Sequence, residues 1–246
     1  MGRAQQAESG KKRPETAEQE KTIMNKMEAM ENRHAVRDYL DKPIPGETIT
    51  ALEAKIAECN AKGGLHIQLV TGEPDAFDGF MAHYGKFKGV RNYVALIGPK
   101  GPVLDERIGY YGEIIALEAQ TLGLNTCWVA MSFSKGSARK RCQLDAGEKL
   151  VCVLALGYGA TQGVPHPSKP MASLIRGGDS GPAWFRKGVE AAMLAPTAMN
   201  QQKFEFSLLG DKASVRSLGG FYASIDLGIV MVHFEMGSGR KLAGWS

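Results

Sequence analysis

Apolar residues recur every three or four positions at Ile49, Leu52, Ile56 and Cys59, which predicts an amphipathic helix. It opens at the turn around Pro45-Gly46 and stops at Lys62-Gly63-Gly64, where glycine readily takes the left-handed cap conformation. Ile23, Met24, Met27 and Met30 share that spacing and predict a shorter helix ahead of it. The strongest helical stripe is Ile108, Tyr111, Ile115, Ala119 and Leu122, widened by Ile114 and Leu117. A helix this apolar on most sides is expected to be central, and Gly123 ends it. Alternation over 66–71 predicts a strand, and 92–97 predicts another, closed by Gly98-Pro99. The unbroken apolar run 151–156 reads as an interior strand, and the Gly- and Pro-rich stretch 157–170 as a long connector. Beyond Trp184 the pattern predicts a helix over 189–195 and a strand over 204–209. Residues 225–235 fit either element, because β-branched content favours strand while length and spacing allow helix.

An internal similarity decides that last segment. Leu52-Glu53-Ala54 leads through a loop into the strand at 66–70 and ends at Thr71-Gly72, and Val189-Glu190-Ala191 leads over nearly the same length to 204–209 and Gly210. A glycine- and aromatic-containing helix follows each, at Gly109-Tyr110-Tyr111 and at Gly219-Gly220-Phe221-Tyr222, so 222–236 is predicted helical. Two related halves are expected, about 23–180 and an abbreviated 181–246, as in a fused homodimer with a ligand site at the pseudo-twofold seam. Residues 1–22 contain no Val, Leu, Ile or aromatic residue and are expected to form a disordered tail.

Composition narrows the classes. With 246 residues, 43% hydrophobic and 23% charged, the chain can enclose a small molecule in its own core. No run approaches the roughly 18 apolar residues of a membrane span, and no secretory signal is evident at the start. Cys59, Cys127, Cys142 and Cys152 show no paired spacing, so reduced thiols and a cytoplasmic location are expected. The net charge of +4 is spread along the chain and is better matched to an anionic small ligand than to a nucleic-acid footprint. The five histidines form no zinc spacing, Gly157 to Gln162 lacks the third glycine of a dinucleotide fingerprint, and Gly79 to Lys86 is not a P-loop.

Three stretches carry candidate chemistry. Arg33 and Arg37 stand four apart, which on a helical turn would aim both guanidinium groups at one anion. Alone, such a turn reads equally as a solvated basic patch paired with Asp38 and Asp41. Ala195-Pro196-Thr197-Ala198-Met199-Asn200 breaks a helix and leaves amides, a hydroxyl and a carboxamide that could read a polar ring edge, or could form a plain loop. The segment 122–130, with Gly123 and Trp128, could form a shelf beside a pocket or simply pack in the core.

Together the three resemble the FMN-dependent nitroreductase-like flavoproteins. Supporting pieces are Gly109 to Glu113, Leu122-Gly123-Leu124 with Cys127-Trp128, Ala155 to Tyr158, and Ser168-Lys169-Pro170, so the resemblance spans roughly 32–234. It implies an α+β fold with a central, mostly antiparallel sheet flanked by helices. The Ala-Pro-Thr-x-x-Asn loop, which in the ordinary family follows the first helix, stands here in the second half. The chain therefore resembles a single-chain, internally duplicated branch with one complete FMN site per chain. The resemblance gives Arg33, His34, Arg37 and Lys169 to the phosphate and ribityl end, Pro196, Thr197 and Asn200 to the ring from the second half, and Trp128, Ala130 and Met131 to the ring's reactive edge.

The implied activity is NADH or NADPH reducing bound FMN, which then reduces a nitroaromatic, quinone or similar acceptor by a ping-pong route. No residue is singled out as catalytic acid or base. Neither nucleic acid, membrane nor metal is expected as a partner, and the chain is expected to be a monomer or a weak homodimer. Alternatives are an FMN-binding carrier or redox protein with little turnover, a flavin reductase or dehalogenase of the same fold, and a basic nucleic-acid module.

Overall fold

The computed structural model describes residues 26–178 and 181–243; the expected tail and the helix positions Ile23 and Met24 lie outside the described residues. Helix α1 (Lys26–Asn32) leads into the body, and α2 (Gly46–Gly63) buries the predicted Leu52, Ile56 and Cys59. Gly64 ends α2 at φ 58°, its amide donating to the Asn60 carbonyl. Strand β1 (Gln68–Val70) is shorter than its alternation predicted. Helix α3 (Phe80–Tyr84), β2 (Asn92–Pro99), α4 (Leu104–Thr121), β3 (Asn125–Val129), α5 (Lys135–Lys140) and β4 (Glu148–Gly157) follow.

The four strands form one sheet in the order β1-β2-β4-β3, antiparallel at every pairing. It is covered on both faces, which explains the continuous apolar run of β4. Val94, Leu96, Cys152 and Leu154 face the core shared with the helices. Tyr93, Ala95, Val153 and Ala155 face a second core built with Phe77, Phe87 and Phe133.

The second half contains α6 (Ala183–Ala192), a hairpin of β5 (Phe204–Leu209) and β6 (Lys212–Ser217), and α7 (Ala223–Ser238). The hairpin turns on Gly210-Asp211 with Gly210 at φ 58°, a two-residue loop that matches strand twist. Residues 225–235 are helical. Their nearly all-apolar surface is consumed because α7 packs against α4 on one side and α6 on the other. Phe234 of α7 stacks on Phe206 with centroids 4.8 Å apart and meets Phe185 at 5.9 Å.

Helices α4 and α7 meet through reciprocal glycines. A Cβ on Gly109 would overlap the carbonyl oxygen of Ile225, and a Cβ on Gly228 would overlap that of Glu106. Each glycine thus rests on the carbonyl three residues before the other, the self-complementary pattern of a twofold contact. The glycine facing Gly109 is accordingly Gly228, inside α7, whereas Gly219 and Gly220 lie in the loop before it. Among the described residues, no helix is long and apolar enough to cross a membrane.

Candidate functional site

Between the sheet and the second half lies a cavity of about 370 Å³ with a largely apolar wall. That volume is within the range of small-molecule sites. Arg33, Ala35, Arg37, Trp128, Ala130 and Met131 line it from the first half. Pro196, Thr197, Met199, Phe221, Tyr222 and Asp226 line it from the second.

The basic segment is extended, not helical. The Val36 amide donates to the Thr126 carbonyl at 3.2 Å, and Ala35 forms a parallel bridge with Thr126, which lays residues 33–37 along β3. Alternation in an extended chain sends residues i, i+2 and i+4 to one side. Arg33, Ala35 and Arg37 therefore face the cavity, while Val36 enters the second core and His34 lies outside the lining. The expected convergence of the two arginines arises by strand geometry where a helical turn was expected.

Arg33 is buried, and its Nε lies 3.4 Å from Oε1 of Glu113, a fully buried carboxylate. Trp128 Nε1 donates to Glu113 Oε2 at 2.9 Å. His233 Nε2 lies 2.9 Å from Oε1, and its Nδ1 lies 3.1 Å from the Ala191 carbonyl. The ring thus bridges Glu113 of α4 and the end of α6. Burial pushes the Glu113 carboxyl upward, but Arg33, His233 and Trp128 outweigh it and hold the group below its ordinary range. Gly112 makes the network possible, since a Cβ there would come within 2.5 Å of the Trp128 ring. Among the described residues Nη1 of Arg33 has no hydrogen-bond partner, and Nε has only the ion pair with Glu113. Arg33 and Arg37 give this otherwise apolar wall its positive charge.

The second half covers the cavity with strained backbone. Met199, Asn200, Gln202 and Tyr222 hold φ between 44° and 57°, in the left-handed region. Asp226 ties this cover to α7: Oδ1 accepts from the Ala198 amide at 2.9 Å and Oδ2 from Gln201 Nε2 at 2.7 Å. Burial pushes its carboxyl up to about 6, and the bonds from Gln201 and Ala198 pull the other way.

The structure brings Arg33, Arg37, Trp128, Ala130, Met131, Pro196 and Thr197 together at the cavity and leaves His34, Lys169 and Asn200 outside its lining. Lys169 Nζ donates to the carbonyls of Gln201 and Gln202 at 2.8 and 3.0 Å, and Asn200 Nδ2 donates to the Pro167 carbonyl at 2.9 Å. These two side chains lash the connector to the covering loop. His34 sits beside Gly163, and burial, Arg33 and His166 lower its pKa.

Local sequence patterning assigns no role to Glu113, His233, Tyr222 or Asp226. Glu113 and His233 lie 120 positions apart, so no local spacing links them. Glu113 closes the Gly109 to Glu113 stretch that carries part of the family resemblance, and His233 is a lone histidine in an otherwise apolar run. Elsewhere, ligand atoms of His66, Asp145 and Glu148 lie within 4.8 Å of one another. There His66 Nδ1 lies 2.8 Å from Glu148 Oε2 in a part-buried contact.

The family model described as "Putative TM nitroreductase" matches residues 25–238. The fold is similar to that of a putative nitroreductase from Thermotoga maritima, with 23% identity over 87% of this chain and 84% of that one, and a TM-score of 0.60. Also similar are a putative nitroreductase in complex with FMN from Desulfovibrio desulfuricans (21% identity, 61% of this chain and 94% of that one, TM-score 0.48) and an FMN-dependent nitroreductase from Clostridium difficile (16%, 54% and 87%, TM-score 0.44). No curated protein matches the chain.

Proposed function

The chain belongs to the family described as "Putative TM nitroreductase", and on that premise we propose that it is an FMN-dependent oxidoreductase. In this reading NADH or NADPH reduces the flavin and departs, and a nitroaromatic, quinone or similar electron-poor acceptor then enters the same cavity. One observation carries it: Arg33 and Arg37 of the first half line the same largely apolar cavity as Pro196 and Thr197 of the second.

Bound FMN would supply the hydride and electron chemistry, so the protein's task is to hold, tune and cover it. Arg33 and Arg37 offer positive charge to the phosphate and to a reduced, anionic ring, and Glu113 keeps Arg33 aimed at the cavity. Trp128, Ala130 and Met131 form the floor, with the indole fixed by its bond to Glu113. Pro196 and Thr197 approach from the second half, and the Thr197 hydroxyl, which accepts from the Gln202 amide at 3.0 Å, keeps that loop in shape. Asn200 and Lys169 act at the rim by closing the connector onto the loop, and His34 borders it. The exposed side chains of Met131, Met199 and Phe221 leave an apolar mouth suited to flat aromatic acceptors.

The reading includes a single-chain pseudo-dimer with one FMN per chain, a monomer or weak homodimer in the cytoplasm. The reciprocal contact of Gly109 and Gly228 supports the pseudo-twofold arrangement. The test is the visible spectrum of purified protein, with acid-released cofactor identified by chromatography, followed by NAD(P)H oxidation with a quinone acceptor. A flavin spectrum with turnover is expected. Protein that stays colourless after incubation with excess FMN overturns the reading, and FMN bound without turnover leaves a carrier.

A further inference from the structure

A second cavity of about 520 Å³ adjoins the first and shares Ala35 and Arg37 with it. Its wall differs in kind: His83, Lys86 and Lys88 surround Arg37, and Asp38 is the one acidic residue lining it. Local backbone geometry gathers these cations. The Lys88 amide donates to the Arg37 carbonyl at 2.9 Å, and the Lys88 carbonyl accepts from Tyr39 at 3.0 Å, which holds Lys88 alongside the basic segment. The Lys86 amide donates to the His83 carbonyl at 2.9 Å, turning the chain just after α3. His83, Lys86 and Lys88 are all exposed, and among the described residues their side chains have no hydrogen-bond or ion-pair partner.

Such a wall suits a phosphate monoester, and two sources would present one here: the flavin's own 5′-phosphate or the 2′-phosphate of a dinucleotide. Exposure separates them. A prosthetic phosphate is retained by buried donors, whereas solvated lysines bind weakly and in a salt-dependent way. That behaviour suits a ligand that must leave in every cycle. Helix α3 adds a matching feature, because Phe80 and Tyr84, one turn apart and 81% and 78% exposed, offer ring surface beside His83 on which an adenine can stack.

We propose that this second cavity receives the adenosine 2′-phosphate of NADPH, so that NADPH is the preferred electron donor. The inference rests on the flavin-oxidoreductase reading. It is tested with FMN-loaded protein at low ionic strength, by comparing kcat/KM for NADPH and NADH with menadione as acceptor. The expected preference for NADPH is about tenfold or more, falling steeply with added salt. In the double variant Lys86→Gln with Lys88→Gln, kcat/KM for NADPH should fall about tenfold, against less than about threefold for NADH. Calorimetry supplies a readout independent of turnover: adenosine 2′,5′-bisphosphate should bind more tightly than 5′-AMP, and the double variant should lose the difference.

Equal kcat/KM for the two dinucleotides, or equal binding of the two adenosine phosphates, overturns the proposal. A double variant that loses FMN and keeps its donor preference overturns it in favour of the flavin's own phosphate. Failure of both dinucleotides to reduce the protein counts against the oxidoreductase reading itself, and the calorimetric comparison still decides what the cavity binds.

Discussion

Helices α4 and α7 cross through matched glycines yet carry opposite kinds of chemistry. Four residues beyond Gly109, α4 bears Glu113, the centre of the buried network with Arg33, Trp128 and His233. Four residues beyond Gly228, α7 bears Val232, packed in the shared core. The loops follow the same division. The first half offers cations on a strand-like segment pinned to β3. The second offers a cover with left-handed φ at Met199, Asn200, Gln202 and Tyr222. In the proposed pseudo-dimer one half would contribute most of the charge at the site and the other would shape access to it. In the register set by Gly109 and Gly228, α7 has Val232 where α4 has Glu113.

Perturbing each side separately tests this division. The largest effect is expected for Glu113→Gln, which strands the Arg33 guanidinium and His233 in the interior. Breaking one partner of a buried charge network costs about 3–5 kcal/mol, measurable as a lowered urea midpoint with unchanged m-value. Next, Gly109→Ala and Gly228→Ala each force α4 and α7 apart, and overpacking costs about 1–3 kcal/mol. If the contact is pseudo-symmetric the two costs should agree, while Gly46→Ala, with nothing near its Cβ, should have no such effect. Strongly unequal costs would break the symmetry half of the comparison.

Asp226 reports on the cover. Because burial raises its folded carboxyl to about 6, above its unfolded value near 4, ionisation opposes folding. Its favourable contribution is complete below pH 4 and is lost as the pH climbs to 6. Asp226→Asn should therefore gain on the parent between pH 4.5 and pH 7.5, by about 4–8 °C in Tm. A difference in Tm that does not vary with pH would contradict this. The smallest effect is expected at Met199, an exposed side chain at φ 51°. Met199→Gly relieves the left-handed strain and should stabilise by up to about 1 kcal/mol in thermal unfolding.

Much of this frame is legible in the periodicity of the chain. The stripes of α2 and α4, the apolar run of β4 and the alternation of β5 each identify their element, because burial on one or both faces imposes the pattern. Strand β6 went unread because its residues are mostly polar, with Ala213 its only buried position, so pairing with β5 decides its conformation. The α6 signal at 189–195 caught only the later part of a helix that starts at Ala183. Within the site, Arg33 and Arg37 could be chosen from spacing, but the spacing fits helix and strand alike. Only the pairing with Thr126 selects the extended form and turns His34 away. The role of His233 depends on a contact across the α4–α7 crossing, which no local pattern encodes.

The count of FMN per chain tests the central claim most directly. Protein saturated with FMN, freed of excess by gel filtration and then acid-denatured, should release one FMN per chain. Arg33→Ala with Arg37→Ala should release far less. No flavin from the parent, half a flavin per chain, or two per chain would contradict a single site anchored in one half and covered by the other.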